Sequence, residues 1–308
     1  MGKARFSSNF CRKCLYTSLS VIDMVRFARM VYPDYDIYKK SGVPEGIPIP
    51  PQDAAKRIVE DMQQDGYYLD FVELLIHVDS QGYMGRRYDL RGLDAVVDDV
   101  IETGYSYDKI TGLFFENQEE RITRNWGRLL EGEERQMAVM RMDIARNSIL
   151  VKENPKDLID KAYNDLREIV TRAVVSRLGR LWSWEGDGAL IAFMLNNYSR
   201  MAIFTGIEII NEMFFYNKFD NPLNSDIKLR LSVHSGTIPY SSSEIECFKA
   251  DIVKKAIALE SKAAVPNSLV ISDSLAVTQD QALIDIFSNQ KVVSSEKYRI
   301  YQLSQSKE

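Results

Sequence analysis

The chain has no basic surplus. Its 308 residues carry 39 Lys and Arg against 44 Asp and Glu, a formal charge of −5 at pH 7. That balance argues against a protein built to neutralise the phosphates of a nucleic acid, although it leaves room for a local basic pocket. Cysteine is scarce: three residues cannot make a disulfide framework. Cys11 and Cys14 form a CxxC, but no second Cys or His pair completes a zinc site, so ordinary helix positions are expected for both. There are two histidines, and structural roles are expected for each: His77 on a helix face, His234 on the polar side of a strand. Long apolar runs are missing too. The most apolar window, MAIFTGIEIINEMFFY (201–216), contains Glu208, Asn211 and Glu212 and reads as a core helix, not a membrane span. The N-terminal apolar residues are interrupted by Arg12, Lys13, Asp23 and Arg26, unlike a signal peptide. Neither a G-x-S-x-G elbow nor a P-loop occurs. A cytoplasmic protein with no nucleic-acid or membrane partner is the expectation.

What is present is an ordinary globular composition, 45% hydrophobic and 27% charged, long enough for two domains and a sizeable core. Positions 1–85 read as helical. FCRKCLYTSLSVIDMVRFARM places Leu15, Ile22, Val25 and Ala28 near helical spacing. SGVPEGIPIPPQD (41–53) is a proline-rich break. QDAAKRIVEDMQQDG restarts a helix with Ala55, Ile58, Val59 and Met62 on one face and Gly66 as its stop. DFVELLIHVD fits either a short helix or an extended segment. Positions 86–136 read as a connector: one amphipathic helix (Leu93, Val96, Val97, Val100, Ile101), a stop at Gly104, and mixed charge at 119–124 and 131–135 expected on a solvated helix face.

From Met137 the pattern changes. AVMRMDI alternates, with Ala138, Met140 and Met142 on one side and Asp143 ending the other, so it reads as a strand. ENPKDLIDKAYNDLREIVTRAVVSRLG follows as a long helix, with Asn154 suited to cap it, Pro155 to its first turn and Gly179 to its end. LWSWEGDGALIAF (181–193) is a hairpin whose turn holds Asp187 between Gly186 and Gly188. A helix near 197–217, the strand IKLRLSV with Ile227, Leu229, Leu231 and Val233 on one face, a helix at 250–263, the strand SLVIS, a helix near 279–288 and a final hairpin through YRIYQL complete positions 137–308. Alternating strands and helices with interspersed hairpins predict an α+β sandwich, helices packed on a largely antiparallel sheet.

Four pieces in this order, MRMDIARNSIL, WEGDGALIAF, LRLSVHSG and ADIVKKAIALES followed by PNSLVISDSL, resemble the catalytic domain of class III nucleotide (adenylate and guanylate) cyclases over about 137–303. The resemblance implies a ferredoxin-like core, a nucleoside triphosphate as substrate, and two Mg²⁺ or Mn²⁺ ions. It implies attack of the ribose 3′-hydroxyl on the α-phosphorus, with pyrophosphate leaving. The metal positions fall on Asp143, the backbone carbonyl of Ile144, and Asp187. Asn147 and Ser148 lie in the turn that holds phosphates at a helix start, where Gly186 lets them approach. The base-selecting positions fall on Ser183 and Cys247, which match neither an adenine nor a complete guanine pattern. Trp182 and Trp184 nearby suit stacking or hairpin packing. The family's Asn and Arg, one helical turn apart and supplied by the other protomer, fall on Lys254 and Ala258. Lys254 keeps a positive charge; Ala258 cannot. Loss of one such donor typically costs about 10²–10³ in rate.

Positions 20–80 weakly resemble the death-like effector-associated domains that recruit partners; a helical cap is the plain alternative. Two functions follow. One is an active cyclase, as a homodimer or a heterodimer with an intact partner domain. The other is a catalytically degenerate module that binds nucleotide or only dimerises.

Overall fold

The computed structural model describes residues 6–195, 197–288, 290–293 and 296–303. The chain divides into two compact units, 1–128 and 129–308, so the division falls inside the segment expected to be a connector.

In the first unit, the N-terminal helical stretch is two helices, α1 (Ser8–Ser18) and α2 (Val21–Val31). Leu19 is extended, and the Ser20 hydroxyl accepts from the Asp23 N–H at 3.2 Å to start the second helix. A serine cap inside an apparently continuous period breaks it, and it leaves Ile22 exposed, off the face to which its spacing assigned it. After α3 (Ile37–Ser41), α4 (Pro51–Asp65) opens with proline in its first turn and ends on Gly66 at φ 90°. Ala55, Ile58, Val59 and Met62 are all buried along it. The DFVELLIHVD segment resolves as helix, within α5 (Tyr68–Gln81), and α6 (Leu93–Glu102) matches the expected amphipathic helix. Cys11 and Cys14 are buried in this core. Burial raises both thiols, that of Cys14 to about 12.

The charged connector is not a helix face. It contains an antiparallel hairpin, β1 (Tyr105–Asp108) and β2 (Leu113–Glu116). Positions 119–124 are turns wrapped on Glu116, which is fully buried. Glu116 accepts from Arg121 Nε at 3.0 Å and from the Thr123 hydroxyl at 2.8 Å. Arg128 is buried likewise and pairs with Glu73 at 2.6 Å and Asp70 at 2.7 Å. The charges of the expected stretches are solvated, Glu119, Glu120, Arg121, Glu131 and Glu134 being exposed, but they lie on turns and a strand end and not on a helix.

The second unit is α+β. In order it contains β3 (Glu134–Ile144), α7 (Asn147–Glu153), α8 (Lys156–Val175), β4 (Arg180–Glu185), β5 (Gly188–Phe193), α9 (Tyr198–Phe219), β6 (Leu229–Pro239), α10 (Glu244–Lys249), α11 (Asp251–Ala263), β7 (Ser268–Ser272), α12 (Asp273–Ala276), α13 (Gln281–Ile284), β8 (Lys291–Val293) and β9 (Glu296–Gln302). The seven strands run in the order β4-β5-β3-β6-β7-β9-β8, antiparallel except for the parallel pair β6 and β7.

One face of this sheet carries Ala138, Met140 and Met142 of β3 with Leu229, Leu231 and Val233 of β6, packed in one cluster with Leu166 and Val170 of α8 and Ile209 and Met213 of α9. The side-chain period of two sends the intervening residues to the other face. There α11 docks, with the Ser232 hydroxyl donating to the Ala256 carbonyl at 2.6 Å.

Local details depart from expectation. The expected long helix forms as α8, preceded by the separate short helix α7, but Asn154 does not cap it: its amide donates to the Leu150 carbonyl, and its oxygen accepts from the Asn224 N–H. Gly179 is not the left-handed stop; Leu178 holds that conformation, at φ 60°. Gly179 is needed for packing instead, because a Cβ there would sit 2.5 Å from the Phe193 ring and 2.8 Å from Val174. The helix expected near 279–288 shrinks to α13.

Candidate functional site

The site begins with strand register. On β3, Asp143 is paired with Gly188 of β5 on one side and with Arg230 of β6 on the other. Paired residues across antiparallel strands lie about 4.5–5.5 Å apart at Cα, so Asp187, the next residue in the β4–β5 turn, is an immediate neighbour of Asp143. The turn has two residues, Gly186 and Asp187, closed by the pair Glu185 and Gly188. Gly186 carries the positive φ of 57°, as a hairpin with glycine at the first turn position requires. Gly188 leaves room for the Arg141 guanidinium, which lies across it and would have to shift to admit a Cβ.

Arg141, Asp143 and Arg230 share the sheet face on which α11 lies. Arg230 makes an ion pair with Asp143 through Nη2 and with Glu260 of α11 through Nε at 2.8 Å. Glu260 is 5% exposed. Burial raises its carboxyl, and the charges of Arg230 and Arg141 oppose that rise while those of Asp143 and Asp187 reinforce it. Burial alone would lower Arg230, but its hydrogen bond to Asp143 and the charges of Glu260, Asp143 and Asp187 outweigh that and raise it. Three carboxylates and two guanidinia therefore share one electrostatic neighbourhood, with Arg230 at its centre.

Asn147 and Tyr163 extend this corner. The Tyr163 hydroxyl donates to the Asn147 side-chain oxygen; burial raises the phenol, and the nearby Asp187 charge adds to the rise. Arg146, at φ 59°, precedes α7, and its carbonyl accepts from the N–H groups of Ile149 and Leu150. Ser148 is exposed in the first turn, and the Ile144 side chain lies in the core.

The other expected site residues lie apart from this corner. Ser183 is buried on β4, and its hydroxyl has no hydrogen-bond partner among the described residues. Cys247 is buried on α10 with its thiol donating to the Ser241 carbonyl at 3.2 Å. Lys254 is exposed in the first turn of α11, 3.6 Å from Asp251. It lies six residues before Glu260, about 240° around a helix of 3.6 residues per turn, and so does not join the carboxylates of its own chain. Trp182 is buried edge-on to Tyr240, and Trp184 packs beneath the Arg167 guanidinium; both serve packing.

Sequence reasoning missed Arg230 and Glu260. Arg230 alternates with Leu229 and Leu231, which marks it for the non-core face, but only the pairing of β3 with β6 sets it on Asp143. Glu260 had no signal beyond being an acid on an otherwise apolar helix face.

Asp143 and Asp187 offer hard oxygen donors of the kind Mg²⁺ takes, one or two carboxylates completed by substrate oxygens. No cluster of three or more His, Cys, Asp or Glu able to hold an ion occurs among the described residues. Two carboxylates are too few to hold such an ion alone, and Asp143 is already paired with Arg230, so further oxygens would have to complete the site.

Solved structures similar to this chain include an adenylate/guanylate cyclase/hydrolase from Silicibacter pomeroyi, with TM-score 0.47 and 21% identity over 56% of this chain and 99% of that one. Another is the adenylyl cyclase CyaB from P. aeruginosa, with TM-score 0.45 and 18% identity over 58% and 98%. A third is the guanylate cyclase domain of RhGC from Catenaria anguillulae in complex with GTP, with TM-score 0.46 and 17% identity over 55% and 96%. No family model matches the sequence. No curated protein matches it either. None of these likenesses supports the resemblance of positions 20–80 to effector-associated domains. No helix among the described residues is long and apolar enough to cross a membrane.

Proposed function

We propose that positions 137–308 form a nucleotide cyclase-type domain that takes a nucleoside triphosphate with a divalent cation and forms a cyclic nucleotide and pyrophosphate at the interface of a dimer. One observation carries the reading: the β3–β5 register puts Asp143 opposite Gly188, and hence beside Asp187, at one corner of the sheet. Asp143 and Asp187 would hold Mg²⁺ or Mn²⁺, whose charge offsets the phosphates and eases ionisation of the attacking hydroxyl. Arg230 keeps the Asp143 carboxylate oriented between the strands. Gly186, Asn147 and Ser148 border the phosphates, with Asn147 fixed by Tyr163. The buried, unpartnered Ser183 hydroxyl supports a role in contacting the base, with Cys247 as the second base-side position. Lys254, exposed on α11, would reach a partner protomer, either a second copy or another cyclase domain.

A second reading is favoured by two observations: Arg230 already neutralises Asp143, and Ala258 brings no cation to α11. In it the domain binds a triphosphate with its cation, or only dimerises, without turnover, and the helices of positions 1–85 recruit a protein partner.

Incubating the purified chain with each of the four triphosphates and Mn²⁺, while measuring both binding and cyclic product, separates the readings. Product abolished by Asp187→Asn supports the enzyme. Binding without product supports the sensor, and absence of both defeats the nucleotide reading.

A further inference from the structure

On the α11 side of the sheet, away from the carboxylate corner, an open cavity of about 210 Å³ lies between α11 and residues of β6, β7, β8 and β9. Its helix wall is Lys255, Ala258, Leu259 and Lys262, spaced so that all four share one helix face. His234 and Ser272 form the sheet wall, hydrogen-bonded to each other at 2.8 Å. His234 lies four residues along β6 from Arg230, about 13 Å at strand rise, so this is a separate place from the Asp143 corner.

The chemistry of the walls is uneven. Among the described residues, Lys255 and Lys262 have no carboxylate within ion-pair reach, and Glu296 is the one acid lining the cavity. Leu259, Val293 and the methyl of Ala258 supply an apolar floor. Burial, with the Lys255 charge, lowers His234 to about 4, so the ring is neutral at pH 7 and remains a hydrogen-bonding group beside Ser272. A closed apolar cavity of about 150 Å³ accommodates benzene, so the space here suits one ring or short chain with a charged head.

We propose that this cavity binds a small organic anion, a carboxylate or phosphate monoester whose apolar body lies on Ala258, Leu259 and Val293 and whose head lies between Lys255 and Lys262 within reach of Ser272. The two lysines attract the head from one helix face, and Ala258 keeps the space open because any larger residue would fill it. The proposal does not depend on the cyclase reading: it uses neither carboxylate of that corner and needs no metal.

The test is calorimetric titration of the full chain with phenyl phosphate and with benzoate, in EDTA so that no divalent cation takes part. Saturable binding at one site per chain is expected. Ala258→Leu, which fills the cavity, and Lys255→Met with Lys262→Met, which keep the stems and remove the charges, should each weaken it at least tenfold. Inorganic phosphate, lacking the apolar body, should bind at least tenfold more weakly than phenyl phosphate. Asp143→Asn should bind phenyl phosphate as the parent does, and that result stands whether or not the chain makes a cyclic nucleotide. No saturable binding by either probe, binding that survives both cavity variants, or equal affinity for inorganic phosphate would overturn the proposal.

Discussion

Arg230 stands directly across the β3–β6 ladder from Asp143 and also holds Glu260 of α11, so one guanidinium ties two strands and a helix together at the candidate site. The arrangement is economical in charge but exacting, since Glu260 is almost wholly buried.

Replacing Arg230 with Met should therefore destabilise the second unit. Breaking a fully buried pair costs about 3–5 kcal/mol; Arg230 is 31% exposed and Asp143 16%, so a loss of about 2 kcal/mol is expected here. Adding Glu260→Gln should recover part of it, because the uncompensated carboxylate is then gone. Urea unfolding of the two single variants and the double variant measures this coupling, and purely additive losses would contradict the bridging role.

Asp187→Asn tests the corner with little structural disturbance. Asp187 is half-buried in a two-residue turn, and stability should change by no more than about 0.5 kcal/mol. Mn²⁺-dependent triphosphate binding should fall at least tenfold. Unchanged binding by an intact variant would remove Asp187 from the site.

Gly179→Ala should destabilise by about 1–3 kcal/mol, the usual range for overpacking. Its Cβ would press on the Phe193 ring, which is 1% exposed and has no room to yield. A neutral result in thermal or urea unfolding would show that the β4–β5 hairpin shifts to absorb the methyl.

His234 gives a pH signature. Its folded value, about 4, lies below the ordinary 6.5, so the unfolded chain takes up the proton first as pH falls. The stability this group contributes is present above pH 6.5 and is lost as pH falls through about 4. Lys255 opposes protonation, Glu296 favours it, and Ser272 holds the ring. His234→Gln should flatten the stability curve between pH 6.5 and 4 relative to the parent; parallel curves would mean that the ring titrates normally.

Much of the layout was legible in the chain. Period-two alternation in AVMRMDI and IKLRLSV assigned core residues to the correct face, because side-chain direction along a strand is a local property. Gly66 was legible as a helix stop because left-handed backbone favours glycine. The same rule failed at Gly179, where packing against Phe193 decided the residue, and the apparently continuous period over α1 and α2 hid a serine cap.

The sequence by itself determined the α+β order, the faces of the strands and the presence of acids at a strand end and a hairpin tip. Those follow from backbone stereochemistry and the burial of apolar groups within one segment. Only the tertiary structure decided that Asp143 meets Arg230, 87 positions away, that Glu260 reaches the same guanidinium, and that Lys255 and Lys262 flank a cavity. Such meetings depend on how separate strands register and on where a helix docks, and no local preference specifies either.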